Sequence, residues 1–232
     1  IMIIFITGTS SGLGLELAKK FLISKNNFVI GCSRRKSQIK NKRYKHYKID
    51  LEKLPKINSM IDDIEKKFKK IDILINNAGH LKKFSPLLLM NEKEIYKLVK
   101  TNLVSTQILT KKILKIMIKN NFGRIINIGS ISSKLLYAGD TIYSSSKLGL
   151  VGFTKSLSKE IYSYGITCNC ICPTLFDTKN KDLISKNTQK NILDSGAIKK
   201  LNKYSEIFDL IKYLTKKNSY FITGQSIYLG GH

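Results

Sequence analysis

A chain of 232 residues with 41 Lys and Arg against 16 Asp and Glu carries a formal net charge of +25. The length suits one large α/β domain, residues 1–232, with enough interior to hold itself together without covalent staples. Four cysteines are too few for a disulfide scaffold and lack metal-ligand spacing, so no metal is expected, and a reducing, cytoplasmic compartment is.

The basic excess is almost entirely lysine, scattered through every segment, with arginine only at 34, 35, 43 and 124. A dispersed charge of this kind reads as a solvated surface rather than a phosphate-binding track, so no nucleic-acid partner is expected. The first apolar run, Ile1 to Ile6, is too short for a signal peptide or a membrane span. No later stretch reaches spanning length without charge, so no membrane association is expected either.

In chain order, Ile1–Ile6 predicts a buried strand and Leu13–Ser24 the helix after it. The turn between them is Thr7-Gly8-Thr9-Ser10-Ser11-Gly12-Leu13-Gly14. Glycines there allow a tight turn and a close backbone approach, and the helix N-terminus offers unpaired N–H groups and a positive dipole to a pyrophosphate. Phe28–Cys32 predicts the second strand, followed by Ser33-Arg34-Arg35. An acid at that point would hold a ribose 2′-hydroxyl, whereas arginine suits a 2′-phosphate, so these residues favour NADP(H), with NAD(H) as the alternative.

Lys45–Ile49 predicts a third strand, Lys56–Lys69 a helix and Ile71–Ile75 a fourth strand. A long helix is predicted over Glu92–Asn120, with Asn102 a poor helix former in its middle. Arg124–Ile128, Ile166–Cys172 and Ser226–Leu229 complete the strands, and Ile142–Tyr164 and Tyr204–Leu214 the helices. Cys168, Cys170 and Cys172 alternate along one strand and read as small buried apolar residues. Strands alternating with helices predict a doubly wound, Rossmann-type α/β fold with about seven parallel strands flanked by helices. Only Thr174–Lys200 breaks the rhythm, and this polar segment reads as a lid on the substrate side.

Tyr143 and Lys147 stand four apart on the helix predicted over Ile142–Tyr164, so both project from one face. Together with the Gly-rich turn, Asp50-Leu51, Asn76-Asn77-Ala78-Gly79, Asn102, Gly129-Ser130, Pro173 and Thr178, they resemble the short-chain dehydrogenase/reductase family. Within it the chain looks most like reductases of the 3-oxoacyl-carrier-protein type, and the likeness spans nearly the whole sequence.

The resemblance implies a catalytic set of Asn102, Ser130, Tyr143 and Lys147. Tyr143 would exchange a proton with the substrate oxygen, and Lys147 would bring the phenol's pKa down and hold the nicotinamide ribose. Ser130 would stabilise charge on that oxygen, and Asn102 would hold a water in a proton relay. It also implies cofactor contacts from Gly8, Ser10, Ser11, Gly12, Leu13, Gly14, Ser33, Arg34, Arg35, Asp50, Leu51, Asn77, Ala78, Gly79, Pro173, Thr174 and Thr178, with Tyr143 and Lys147 shared. One departure stands out: the family usually has Gly after the proline, and Thr174 occupies that position.

The expected activity is interconversion of a ketone or aldehyde and an alcohol by hydride transfer, in a homodimer or homotetramer acting on a small carbonyl or alcohol substrate. Two other readings compete: an NAD(P)-binding regulator without turnover, and a nucleic-acid-binding protein suggested by charge alone.

Overall fold

The structure, a computed structural model, describes residues 1–81, 83–176 and 183–232. Seven parallel strands form one sheet: β1 Met2–Thr7, β2 Asn27–Ser33, β3 Tyr44–Lys48, β4 Ile73–Asn76, β5 Gly123–Ile128, β6 Ile166–Cys172 and β7 Ser226–Tyr228. The helices are α1 Gly12–Ile23, α2 Leu54–Phe68, α3 Glu92–Val99, α4 Ser105–Lys119, α5 Ser132–Leu135, α6 Thr141–Ile161, α7 Lys186–Asp194 and α8 Tyr204–Leu214.

The strand order is β3-β2-β1-β4-β5-β6-β7. The chain builds outward from β1 to one edge, then crosses back and builds from β4 to the other. That reversal leaves a crevice beyond the carboxyl ends of β1 and β4, where doubly wound sheets bind ligands. Thr7 and Asn77 fasten the two strand ends there. The Thr7 hydroxyl accepts from the Asn77 and Ala78 amides at 3.0 and 2.8 Å, and Asn77 Nδ2 donates to the Thr7 carbonyl at 2.9 Å.

Successive side chains leave a strand on opposite faces, so β1 feeds two cores. Ile3 and Phe5 join α2, α4 and α6 on one side. Ile4 and Ile6 join α1 and α8 on the other. Coverage of both faces is why these strands read as unbroken Ile runs. Cys168, Cys170 and Cys172 are buried in β6, as their alternation predicts.

One expectation is corrected. The helix predicted over Glu92–Asn120 is split by a π-helical turn at Lys100–Val104, which separates α3 from α4. Within the segment 174–200 the structure describes α7, which buries only Ile192.

Candidate functional site

The Gly-rich turn after β1 leads into α1 at Gly12, which has φ +58°. Gly8, at φ +78°, turns the chain back so that its amide bonds the Cys32 carbonyl at 2.8 Å. Gly14 serves packing: a Cβ there would fall 2.4 Å from Asn77 Nδ2 and 2.5 Å from the Gly8 carbonyl oxygen. The Ser11 side chain does not cap the helix, and no acidic residue lies in the first turn. The first-turn amides therefore keep their donors for an anion, which fits a dinucleotide pyrophosphate.

Beside this turn, Cys32, Ser33, Arg34 and Arg35 leave the end of β2, and Asp50 and Leu51 follow β3. Arg34 and Arg35 are exposed at the rim, and Arg35 Nη2 donates to the Ser11 hydroxyl at 3.0 Å. The Asp50 carboxylate accepts from the Glu52 amide at 3.1 Å. Asn77, Ala78 and Gly79 form the opposite wall, after β4.

Apart from Gly14, these groups line one cleft of about 1180 Å³, which continues to Ser130, Tyr143, Lys147, Pro173 and Thr174. Tyr143 and Lys147 sit one turn apart on α6, with the Lys147 ammonium 5.8 Å from the phenol ring centroid. Lys147 is buried, and its Nζ donates to the Ile128 carbonyl at 2.8 Å. Ser130 ends the turn after β5 and lines the cleft with Tyr143; its hydroxyl accepts from the Ser132 amide at 3.1 Å.

Burial governs the titration of the pair. It pushes the Tyr143 phenol up to about 12, against the Ser130 hydroxyl, which lowers it, and the Asp140 carboxylate pushes in the same direction as burial. Burial also holds the Lys147 ammonium below its ordinary value, against Cys170 and Cys172, which raise it. The expected depression of Tyr143 by Lys147 is therefore not what this arrangement produces.

Asn102 lies in the π-helical turn and is fully buried. Its Oδ1 accepts from the His80 amide at 2.7 Å, and its Nδ2 donates to the His80 carbonyl at 2.9 Å and the Ser146 hydroxyl at 3.2 Å. A single π turn at a functional site is a recurrent device, and here it aims an amide at the loop after β4. Gly79 packs between Asn102 and Lys147, where even a Cβ would make ordinary contacts. A Cβ at Gly79 would stand 3.5 Å from Asn102 Oδ1 and 3.6 Å from Lys147 Nζ.

Thr174 replaces the family's usual glycine without strain, since its φ is not positive. Its amide and hydroxyl both donate to Asn202 Oδ1, at 2.7 and 2.9 Å. Thr178 lies outside the described residues. Of the other residues expected to be functional, Asn102 and Gly14 support the cleft from behind; the rest line it. The sequence reading missed Glu16, Glu52, Thr101 and Tyr204, which also line it. Glu52 accepts a hydrogen bond from the Thr101 hydroxyl, a link across distant segments that leaves no local signature. Beyond Tyr143 the cleft is apolar, with Leu81, Phe84, Ile131, Leu175, Ile184 and Ile192.

The sequence model of the family described as short chain dehydrogenase matches residues 2–189. The chain belongs to that family. As a member it is an oxidoreductase of CH–OH and carbonyl groups that uses NAD(P). It is 37% identical over 235 residues to the 3-oxoacyl-[acyl-carrier-protein] reductase of Buchnera aphidicola, covering 98% of this chain and 95% of that one. Among solved structures, a 4-hydroxyisoleucine dehydrogenase complexed with NADH superposes with a TM-score of 0.90 at 27% identity, covering 100% of this chain and 98% of that one. An actinorhodin polyketide ketoreductase with NADPH gives a TM-score of 0.86 at 26% identity, covering 99% and 96%.

Proposed function

We propose that the protein is an NADP(H)-dependent reductase of 3-oxoacyl thioesters, with Tyr143 as general acid in reduction and general base in oxidation. The observation that carries the reaction is the meeting of Ser130, Tyr143 and Lys147 in one cleft, with the Lys147 ammonium 5.8 Å from the centre of the phenol ring. A phenol at about 12 is fully protonated at neutral pH, the form a carbonyl reduction consumes. Ser130 would hold the substrate oxygen beside that proton, and Lys147 would return a proton to the phenolate left behind. A nicotinamide dinucleotide bound along the cleft supplies the hydride.

The apolar end beyond Tyr143 supports an acyl substrate, and the likeness to 3-oxoacyl-carrier-protein reductases agrees with it. Arg34 and Arg35 support NADP(H), because the loop offers guanidinium groups and no carboxylate to a ribose 2′-position. In this reading residues 1–232 act as one cofactor-binding domain, with 174–200 as the substrate-side lid. Exposed Val104 and Leu148, from the π turn and α6, support a homodimer or homotetramer packed through that face. Four buried, unpaired thiols support a reducing cytoplasmic compartment.

The test is NADPH oxidation with an N-acetylcysteamine 3-oxoacyl thioester, followed by absorbance. Tyr143→Phe should cut turnover by about 10²–10⁴-fold with NADPH affinity retained. Turnover that survives this substitution would overturn the assignment.

A further inference from the structure

The loop that carries Arg34 and Arg35 is held by a polar cluster centred on His46, a residue that no reading of the sequence had made functional. His46 lies on β3 opposite Gly31 of β2. Its Nε2 meets the Arg35 carbonyl at 2.9 Å and the Ser33 hydroxyl at 3.3 Å. Its Nδ1 meets the Tyr44 phenol at 2.9 Å and the Thr9 hydroxyl at 3.4 Å. Tyr44 reaches Thr9 at 2.9 Å, and Ser37 bonds the Thr9 carbonyl at 3.3 Å.

The chemistry of the partners fixes the ring's tautomer. A carbonyl only accepts, so Nε2 carries the proton toward Arg35, and Nδ1 of the neutral ring accepts a hydroxyl proton. Burial lowers the imidazole's pKa and favours that neutral form. The Arg35 carbonyl thus receives two donors, His46 Nε2 and the Ser33 hydroxyl, the latter at 2.6 Å. Together they fix the peptide plane from which the Arg35 side chain sets out toward Ser11.

The space for this cluster exists because residue 31 is glycine. A Cβ there would lie 2.3 Å from the Tyr44 phenol oxygen and 2.4 Å from Thr9 Oγ1. One imidazole therefore joins the phosphate-binding turn after β1 to the arginine loop after β2.

We propose that His46 is the positioning residue that registers Arg34 and Arg35 against the Gly-rich turn and so sets the preference for a 2′-phosphorylated dinucleotide. The proposal rests on the reading of the cofactor as NADP(H). It predicts a defect confined to the 2′-phosphate, because His46 itself lines no part of the cleft.

The experiment measures dissociation constants for NADPH and NADH by fluorescence titration of the wild type, His46→Ala, His46→Gln, Arg34→Ala and Arg35→Ala. The expected result is an NADPH constant weakened about tenfold in His46→Ala, with NADH changed by less than about twofold. His46→Gln, whose amide can still donate to the Arg35 carbonyl, should recover most of the loss. If His46→Ala keeps the wild-type preference while the arginine variants lose it, this inference falls and the cofactor reading stands. Equal weakening of both cofactors in His46→Ala, a general loosening, also refutes it. A wild type that binds NADH as tightly as NADPH refutes both.

Discussion

Replacing Asp140 by Asn should stabilise the protein at neutral pH and leave it nearly unchanged near pH 4. Asp140 immediately precedes α6 and is only 2% exposed. One carboxylate oxygen accepts from the Ser144 hydroxyl at 2.8 Å, and the other, Oδ1, is buried with no hydrogen-bond partner. Burial raises its pKa from an ordinary 3.8 to about 6, against the Ser132 and Ser144 hydroxyls, which lower it.

A raised carboxyl pKa means that the folded protein holds this proton more tightly than the unfolded chain. Below about pH 4 both states are protonated and the group is neutral in both. Between about pH 4 and 6 the unfolded chain releases the proton first, and above that range folding must bury a charge the unfolded chain keeps in water. Stability therefore falls as pH rises through this window. A roughly hundredfold difference in proton affinity corresponds to about 3 kcal/mol, at 1.36 kcal/mol per tenfold. Asn mimics the protonated shape without the charge, so at pH 8 the melting temperature should rise by about 6–12 °C. Differential scanning fluorimetry at pH 4.5 and pH 8 checks this. An equal shift at both pH values, or a loss at pH 8, would refute the reasoning.

Gly14→Ala drives a methyl toward the Gly8 carbonyl, a backbone atom that cannot swing aside, so the variant should lose about 1–3 kcal/mol and bind NADPH poorly. Thermal melts with and without NADPH measure both effects. Arg124→Met should destabilise by about 3 kcal/mol or more without altering turnover per folded molecule. The buried guanidinium donates to the carbonyls of Gly123, Gly165, Lys216 and Lys217, and methionine would leave them unpaired. Urea denaturation and active-site titration separate those two quantities.

Most of the sheet was legible because its buried parallel strands are compact apolar runs, and all seven strands, the half-exposed Tyr-Lys-His-Tyr-Lys of β3 included, appear within one or two residues of their predicted bounds. The π turn was hidden, since Lys100-Thr-Asn-Leu-Val104 has neither Gly nor Pro and keeps the helical apolar rhythm around it. α7 was hidden for the opposite reason: Lys186-Asn-Thr-Gln-Lys-Asn-Ile-Leu-Asp194 buries one side chain and so shows no stripe. Tyr143, Lys147 and Ser130 were legible through spacing and order along the chain. His46 was not, because its partners come from residues 9, 33, 35 and 44 on three strands or the turns that follow them. Contacts of that kind exist only once the sheet has formed.

Tyr143 and Lys147 also show what spacing alone cannot convey. In water an ammonium at 10.5 and a phenol at 10.0 hold protons almost equally. Shared burial drives the two apart: the phenol rises because its charged form is the base, and the ammonium falls because its charged form is the acid. The phenol becomes the tighter proton holder, so in the proposed reaction a resting Tyr143 would carry the proton that reduction consumes. In the proposed reaction, once Tyr143 had given its proton to a substrate oxygen, the neighbouring ammonium would be the stronger acid and could restore it. Asp140 widens the gap by pushing Tyr143 further upward. A buried carboxylate that costs stability above about pH 6 thus also makes the proposed acid hold its proton more tightly, both effects arising within a single turn of α6.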